Sequence, residues 1–204
     1  MVYEKLHLGL DVERLQSYLK DVVLNKEITR QSPAFGGWSV LSATGSYKDG
    51  WQQGHLLLKP DTAEEKKQQI KKSIPQKFYT FTNKTEICIG YMDEIIEVIK
   101  SKGLRPARAR IICLSAGMAC SWHRDAPDDV YAVRLHIPII TNRGCFFETA
   151  DEREHMPADG SGYIIAVNRE HRVINKGDTD RVHLVMDIYD IEGMTKYHKY
   201  PPKV

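Results

Sequence analysis

The second half of the chain, from Pro106 onward, consists of short strand-like runs with no helical pattern between them. Apolar residues, alternating or continuous, mark the runs, and Gly, Asp, Asn and Pro mark the turns that separate them. Many short strands without intervening helices are typical of a closed sandwich or jelly roll. The sequence therefore predicts a mainly β protein with flanking helices and a double-stranded β-helix (jelly-roll, cupin-like) core. The predicted strands are 108–114, 118–122, 130–141, 144–147, 162–167, 171–174 and 181–189.

The first half of the chain carries helical patterns instead. Apolar residues at helical spacing predict a helix within residues 6–24, beginning near Asp11, which is placed to cap it. A second amphipathic helix is predicted over 91–101 and is closed by Gly103. Residues 62–73 are dense in Glu, Lys and Gln and predict an exposed helix. We therefore expect a single domain over 1–204, in which a mixed α/β part (1–105) packs outside the core (106–190) and a tail (191–204) follows.

The composition excludes several classes of function. The 29 Lys and Arg residues nearly balance the 27 Asp and Glu residues, so the charge indicates neither a nucleic acid nor an anionic membrane as partner. The apolar runs are far shorter than the roughly 18 residues that a membrane span requires, and the N-terminus lacks the apolar core of a signal peptide. The four cysteines show no CxxC spacing, which predicts reduced thiols in a cytoplasmic protein.

Three side chains form a candidate metal site. His123 and Asp125 are two residues apart in an extended segment, so their side chains point to the same side. His171, which follows the strand-like run 163–167, is the best candidate for a third ligand. Two histidines and one carboxylate on one face of a metal, with the other face open, form the ligand set of non-heme Fe(II) oxygenases. The sequence therefore predicts an iron-dependent oxygenase with these three residues as its catalytic metal ligands.

Two predicted strands carry an arginine and a histidine on the face opposite their aliphatic residues. Arg134 and His136 alternate with aliphatic residues in one strand, and Arg181 and His183 do so in the last strand. A guanidinium inside a barrel is costly unless an anion pairs with it, and arginine is suited to bind a carboxylate through two parallel hydrogen bonds. A dianionic cosubstrate such as 2-oxoglutarate meets this need, because its 2-oxo acid end chelates iron and its distal carboxylate reaches an arginine.

Other interpretations of these residues are open at this point. The His123-x-Asp125 pair alone occurs by chance on protein surfaces, and His136 and His183 are also consistent with histidines hydrogen-bonded in a core. A cupin-type metal-dependent isomerase or dioxygenase that does not use 2-oxoglutarate is one alternative function, and a non-catalytic small-ligand-binding jelly roll is another. The acidic residues that follow the fourth predicted strand are expected to form a solvated loop; they are Glu148, Asp151, Glu152 and Glu154.

From about Pro106 to Tyr189 the sequence resembles the aspartyl/asparaginyl β-hydroxylase family of Fe(II)/2-oxoglutarate-dependent oxygenases, including its bacterial branch of free-proline hydroxylases. The resemblance rests on residues 110–117 (RIICLSAG), 123–125 (HRD), 134–139 (RLHIPI) and 171–187 (HRVINKGDTDRVHLVMD). It implies that His123, Asp125 and His171 bind iron and that Arg181 holds the 5-carboxylate of 2-oxoglutarate. By the same resemblance, Arg134 and His136 are further cosubstrate contacts.

The implied activity is hydroxylation of an unactivated C–H bond with release of succinate and CO2, using Fe(II), 2-oxoglutarate and O2. The substrate is expected to be a small polar molecule, with a free amino acid favoured and peptidyl Asp or Asn as the second possibility. Asp125 supplies the metal carboxylate that peptide-hydroxylating animal members lack, and a halogenase needs that coordination position for halide. Hydroxylation of a small molecule is therefore the favoured reaction, while the sequence leaves the substrate and the oligomeric state open.

Overall fold

In the computed structural model, the described residues are 2–49, 81–125 and 133–189. Two helices, α1 (Val12–Tyr18) and α2 (Tyr91–Ser101), lie in the first half of this part of the chain, and a π-helical turn (Leu19–Val23) continues α1. The strands are β1 (Val2–Leu6), β2 (Thr29–Ser32), β3 (Phe35–Ser39), β4 (Leu41–Ser42), β5 (Asn83–Lys84), β6 (Arg105–Leu114), β7 (Val133–Ile140), β8 (Cys145–Thr149), β9 (Arg153–Glu154), β10 (Gly162–Ala166), β11 (His171–Asn175) and β12 (Arg181–Tyr189).

The described strands form two main antiparallel sheets and one short pair. The major sheet has the order β1-β10-β7-β12-β6-β3-β2, and the minor sheet has the order β11-β8-β9. Single bridges from Ala119 to Ile174 and from His123 to His171 place the segment before Asp125 alongside β11. The two sheets meet where Phe147 of β8 packs with Tyr163 and Ile165 of β10. This arrangement confirms the predicted jelly-roll core with flanking helices.

The helices cover the outer face of the major sheet. Asp11 caps α1 by accepting a hydrogen bond from the backbone N–H of Arg14 at 3.0 Å, as its position in the sequence predicted. The apolar side of α2 is fully buried, and Lys102 ends the helix before Gly103, whose φ of 76° suits glycine. These helices pack against the aliphatic residues that point outward from the central strands β6, β7 and β12.

The inner face of the major sheet carries polar and charged residues. In β12, Arg181, His183 and Asp187 are all less than 7% exposed, and they alternate with the buried outward-facing residues Val182, Leu184 and Met186. Val185 pairs with His136 of β7 on one side and with Arg110 of β6 on the other. Directly paired residues of an antiparallel sheet share a face, so Arg110 and His136 lie on the same face as Val185. The predicted polar face of the sheet therefore points into the barrel.

Several predicted elements differ from the structure. Residues 118–122 do not form a regular strand, because their pairing is limited to the bridge at Ala119. Strands β1, β2, β5 and β9 were not predicted. Strand β1 pairs with β10, far away in sequence, so no local pattern revealed it. The predicted helix 62–73 and the tail 191–204 lie outside the described residues. Within the described residues, neither helix is long and apolar enough to cross a membrane.

Candidate active site

His123, Asp125 and His171 converge as the sequence predicted. Their candidate ligand atoms all lie within 4.8 Å of one another. His171 Nε2 is 3.5 Å from Asp125 Oδ2, and the two imidazole ring centres are 4.5 Å apart. His171 is 2% exposed, whereas the other two side chains are partly accessible. Two imidazoles and one carboxylate at this separation fit the ligand set of a non-heme iron site.

Backbone contacts orient the two imidazoles. His123 Nδ1 lies 2.7 Å from the carbonyl oxygen of Ser121, and His171 Nδ1 lies 2.7 Å from the carbonyl oxygen of Arg169. A carbonyl oxygen only accepts, so each Nδ1 carries the proton and each Nε2 has a free lone pair. Such a hydrogen bond from Nδ1 fixes metal-binding histidines in one tautomer. The N–H of Asp125 donates to the carbonyl oxygen of Val167 at 2.9 Å, which anchors the third side chain.

Arg134 links the carboxylate of the triad to a second acid. Its Nη1 donates to Asp125 Oδ2 at 2.5 Å, and its Nε donates to Asp187 Oδ1 at 3.1 Å. All three side chains are at most 16% exposed. The prediction that Arg134 contacts the cosubstrate stays a prediction, and its position also gives it a role in holding Asp125. Asp187 was not predicted as a site residue. The signal was present, because Asp187 lies two residues after Val185 and four after His183, on the same alternating face of β12.

Arg181 lies further along the inner face of β12. It is 3% exposed, and its Nη2 donates to His183 Nδ1 at 3.0 Å. Burial lowers the pKa of Arg181 to about 10, so the guanidinium stays charged at neutral pH. No carboxylate pairs with it among the described residues, and the acidic groups that act on it are three thiols. A buried cation of this kind is a favourable site for an anionic ligand.

His136 lies between the triad and Arg181. It is 6% exposed, and its ring stands edge-on to His183 at 6.0 Å and to Phe147 at 6.3 Å. Burial, followed by the nearby charges of Arg181 and Arg134, lowers the pKa of His136 well below its usual value. Its Nδ1 is buried and has no hydrogen-bond partner within the described part of the chain. His136 is therefore a neutral, polar side chain in the interior, consistent with the predicted contact to a ligand.

A second group of cations lies near Asp187. In the register between β6 and β12, Arg110 lies opposite Val185. Val185 is four residues from Arg181 along β12, which separates the two positions by roughly 13 Å. Burial, then the neighbouring charges of Arg108 and Arg134, lower the pKa of Arg110 well below its usual value, while Asp187 and Asp125 oppose this effect. Arg108, with a φ of 47°, lies where the register between β6 and β12 shifts. The interior thus has cationic groups at two separate places. The sequence predicted no role for the side chains of Arg108 and Arg110.

Side chains on both faces of the minor sheet hold β11, the strand that begins with His171. On the inner face, Phe147 stacks on the imidazole with ring centres 4.8 Å apart and planes 18° apart. On the outer face, Glu148 accepts hydrogen bonds from Arg172 at 2.7 Å and pairs with Arg153 at 2.6 Å. The expectation that Glu148 lies in a solvated loop is wrong, since it is 4% exposed and lies in β8. Two arginines neutralise it, which explains how a carboxylate is buried there.

Comparison with known proteins identifies the family. Residues 28–190 match the family described as aspartyl/asparaginyl beta-hydroxylase. The chain belongs to this family. No curated protein sequence matches this hydroxylase. The family match confirms the resemblance stated from the sequence and shows that the protein is an enzyme of the hydroxylase class.

Solved structures with similar folds have low identity to this hydroxylase. A collagen prolyl hydroxylase from Paramecium bursaria Chlorella virus-1 is 11% identical, with a TM-score of 0.48, over 92% of this chain and 96% of that one. A prolyl-4-hydroxylase from Pseudomonas putida is 13% identical, with a TM-score of 0.47, over 91% of this chain and 90% of that one. A cupin domain from Bordetella pertussis is 23% identical, with a TM-score of 0.32, over 42% of this chain and 93% of that one. At these TM-scores, conclusions about function depend on the family and on the site.

The family and the site together confirm the predicted cofactor and cosubstrates, which are Fe(II), 2-oxoglutarate and O2. The residues present fit these groups. The His-Asp-His set has the donor chemistry of an Fe(II) site. Arg181 supplies a buried positive charge without an acidic partner among the described residues, as a dicarboxylate requires.

Proposed function

We propose that this hydroxylase couples the oxidative decarboxylation of 2-oxoglutarate to the hydroxylation of a C–H bond in a small polar substrate, with a free amino acid favoured, in the cytoplasm. The observation that carries this proposal is the convergence of His123, Asp125 and His171 in a barrel that also holds the buried guanidinium of Arg181. In this proposal, the Nε2 atoms of the two histidines and the carboxylate of Asp125 hold the metal. Bound Fe(II) supplies the O2 chemistry, and the protein supplies binding and orientation.

Arg181 has the distal carboxylate of 2-oxoglutarate as its proposed ligand. Its charge is desolvated, and a carboxylate that accepts two of its N–H groups neutralises it. His136, between the triad and Arg181, is the proposed contact for the middle of the cosubstrate. Since it is neutral and has a buried ring nitrogen without a partner among the described residues, a ligand atom at this position satisfies it.

The cations near Asp187 favour a substrate that carries a carboxylate. Arg110 and Arg134 lie on the Asp125 side of the interior, away from Arg181, so the positive charge there is separate from the charge that the proposed cosubstrate neutralises. The crowding of like charges around Arg110 is relieved by an anion. A free amino acid brings such a carboxylate, and its amino group is a suitable partner for Asp187.

The test is succinate release from 2-oxoglutarate, with Fe(II) and ascorbate, in the presence of each common amino acid in turn. We expect one or a few amino acids to raise succinate release well above the substrate-free rate, with one hydroxylated product per succinate. Stimulation only by an Asp- or Asn-containing peptide contradicts the free amino acid and favours a peptide substrate. Turnover of a substrate without 2-oxoglutarate indicates a cupin-type enzyme, and ligand binding without any turnover indicates a non-catalytic jelly roll.

The variant Arg181→Leu tests the cosubstrate site. We expect the apparent KM for 2-oxoglutarate to rise by roughly 100-fold, because loss of a bidentate charged contact costs about 3 kcal/mol. Arg143→Leu is the matched control, because Arg143 is exposed. An unchanged KM in Arg181→Leu contradicts the assignment of this arginine.

A further inference from the structure

The hydrogen bond between Arg181 and His183 is a polar contact inside the barrel that the proposed reaction does not explain. Both side chains are at most 3% exposed, and both point to the inner face of β12 at positions two residues apart. Arg181 Nη2 and His183 Nδ1 are 3.0 Å apart. A buried guanidinium is usually oriented by a carboxylate, yet here, among the described residues, an imidazole takes that place.

The direction of this hydrogen bond fixes the tautomer of His183. Guanidinium nitrogens only donate, so Nδ1 must accept and the proton of the imidazole lies on Nε2. Nε2 is buried and has no hydrogen-bond partner within the described residues. Burial, and then the charge of Arg181, lowers the pKa of His183 well below its usual value. His183 therefore contacts the guanidinium as a neutral acceptor.

A neutral acceptor has a different consequence from an acidic one. An Asp or Glu at position 183 orients the guanidinium but also neutralises it, so little attraction for a carboxylate ligand remains. An aliphatic residue leaves the charge but gives up control over the plane of the guanidinium fork. His183 does neither of these, because it occupies one N–H of Arg181 and leaves the other donors and the full charge for a ligand.

We propose that His183 is a positioning residue for cosubstrate recognition, which holds the guanidinium of Arg181 in the orientation that binds the distal carboxylate of 2-oxoglutarate without neutralising it. This inference rests on the function proposed above and adds a residue to that site. In this role, His183 acts on the ligand through Arg181 alone. His183 therefore affects the binding of keto acids that carry a distal carboxylate and does not affect those that lack one.

The experiment compares the binding of two keto acids to Fe(II)-loaded protein without O2. One is 2-oxoglutarate, and the other is 2-oxopentanoate, which has a methyl group in place of the distal carboxylate. The metal-to-ligand charge-transfer absorption of the chelated Fe(II) gives the Kd, and the shift in Tm on adding each keto acid gives a second measure. The variants are His183→Leu, His183→Asn and His183→Asp, and the matched control is His7→Leu, because His7 is exposed.

We expect His183→Leu to raise the Kd of 2-oxoglutarate by about tenfold or more, because a hydrogen bond to a charged group is lost. The amide oxygen of Asn reaches the position of Nδ1, so His183→Asn should stay within about threefold of the wild type. His183→Asp should bind 2-oxoglutarate most weakly, since its carboxylate pairs with Arg181. The Kd of 2-oxopentanoate should be the same in the wild type, in all three variants and in His7→Leu.

Three results overturn the inference. Unchanged binding of 2-oxoglutarate in His183→Leu shows that Arg181 needs no help in orientation. Equal losses for both keto acids show a general structural role. Tight binding in His183→Asp shows that the charge of Arg181 is not what the ligand needs. If wild-type protein chelates 2-oxopentanoate as well as 2-oxoglutarate, or binds neither, the failure lies in the proposed function itself and not in the role of His183.

Discussion

His123 and His171 are direct partners in an antiparallel bridge, in which each backbone N–H donates to the carbonyl oxygen of the other residue. The two hydrogen bonds measure 3.0 Å and 2.9 Å. They hold two residues that are far apart in sequence side by side, with their imidazole rings 4.5 Å apart. The spacing between the two proposed histidine ligands is therefore set by the backbone and does not depend on the presence of the metal.

Asp125→Ala should abolish coupled turnover and metal binding. The substitution removes the only anionic member of the triad and leaves Arg134 beside the two histidines, where its charge opposes a cation. Loss of a residue that only hydrogen-bonds to a metal ligand lowers metal affinity by roughly 10–100-fold, so loss of the ligand itself should lower the affinity by more than roughly 100-fold. Metal content after dialysis and succinate release are the two measurements. The exposed Asp151→Ala is the control, and unchanged succinate production in Asp125→Ala would argue against this residue as a ligand.

Phe147→Leu should weaken Fe(II) binding by about tenfold while the protein stays folded. The phenyl ring stacks on the imidazole of His171, so a smaller side chain leaves that ring free to rotate away from the triad. Fe(II) affinity measured by competition with a chelator, together with circular dichroism, checks the result. Phe146→Leu is the matched control, since Phe146 is next to Phe147 but contacts His155 and Arg153 instead. Similar losses of affinity in both variants contradict a specific role for the stack.

Glu148→Gln should lower the free energy of unfolding by about 1–3 kcal/mol, because two arginines lose their shared anion in a buried place. Urea unfolding of the metal-free protein gives the value, and the exposed Glu154→Gln should change it by less than about 0.5 kcal/mol. Since β11 carries both Arg172 and His171, we also expect a small loss of metal affinity. If Glu148→Gln destabilises the protein no more than Glu154→Gln does, the contacts between Glu148 and the two arginines do not hold β11.

The stability of the metal-free protein should fall as the pH decreases below about 6.5. Burial lowers the pKa values of His136 and His183 well below the ordinary value of 6.5, so the unfolded chain takes up protons that the folded protein does not. Their contribution is present above pH 6.5 and is lost towards lower pH, with a slope of about 1.4 kcal/mol per pH unit for each histidine. Urea unfolding from pH 8 to pH 5 measures the slope. In His183→Asn, the slope of the unfolding free energy against pH should decrease by the contribution of one histidine. An unchanged slope shows that His183 takes up its proton in the folded state.

Local patterns were sufficient to predict the parts of the structure that depend on neighbours in sequence. Asp11 caps α1 because a helix N-terminus is satisfied by a side chain within the same turn. Arg181 and His183 share the inner face because strand side chains alternate with period two. The convergence of the triad was predicted from the chemistry of its three residues, because two histidines and one carboxylate form the ligand set of a non-heme Fe(II) site.

The contacts that were missed depend on which strands pair and in which register. Phe147 stacks on His171 and Glu148 faces Arg172 because β8 and β11 are antiparallel neighbours, with His171 opposite Thr149. A shift of that register by one residue would exchange the inner and outer faces of β8. The sequence of β8 alone, with apolar and acidic residues in succession, fits either register. For the same reason, the partners of Arg134 became clear only from the folded chain.

The proposed ligands of the metal come from the minor-sheet side of the barrel, whereas Arg181 and His183 belong to the major sheet. A keto acid that chelates the metal and binds Arg181 therefore connects the minor-sheet side of the barrel to the major sheet. Without such a ligand, contacts between described residues that join the two sheets include the small apolar cluster around Phe147, the ion pair between Asp125 and Arg134, and the hydrogen bond from Asn175 of β11 to the carbonyl oxygen of Leu114 in β6. Cofactor loading should therefore protect the amides of β8 and β11 against hydrogen exchange much more than those of α2, which packs on the opposite side of the major sheet.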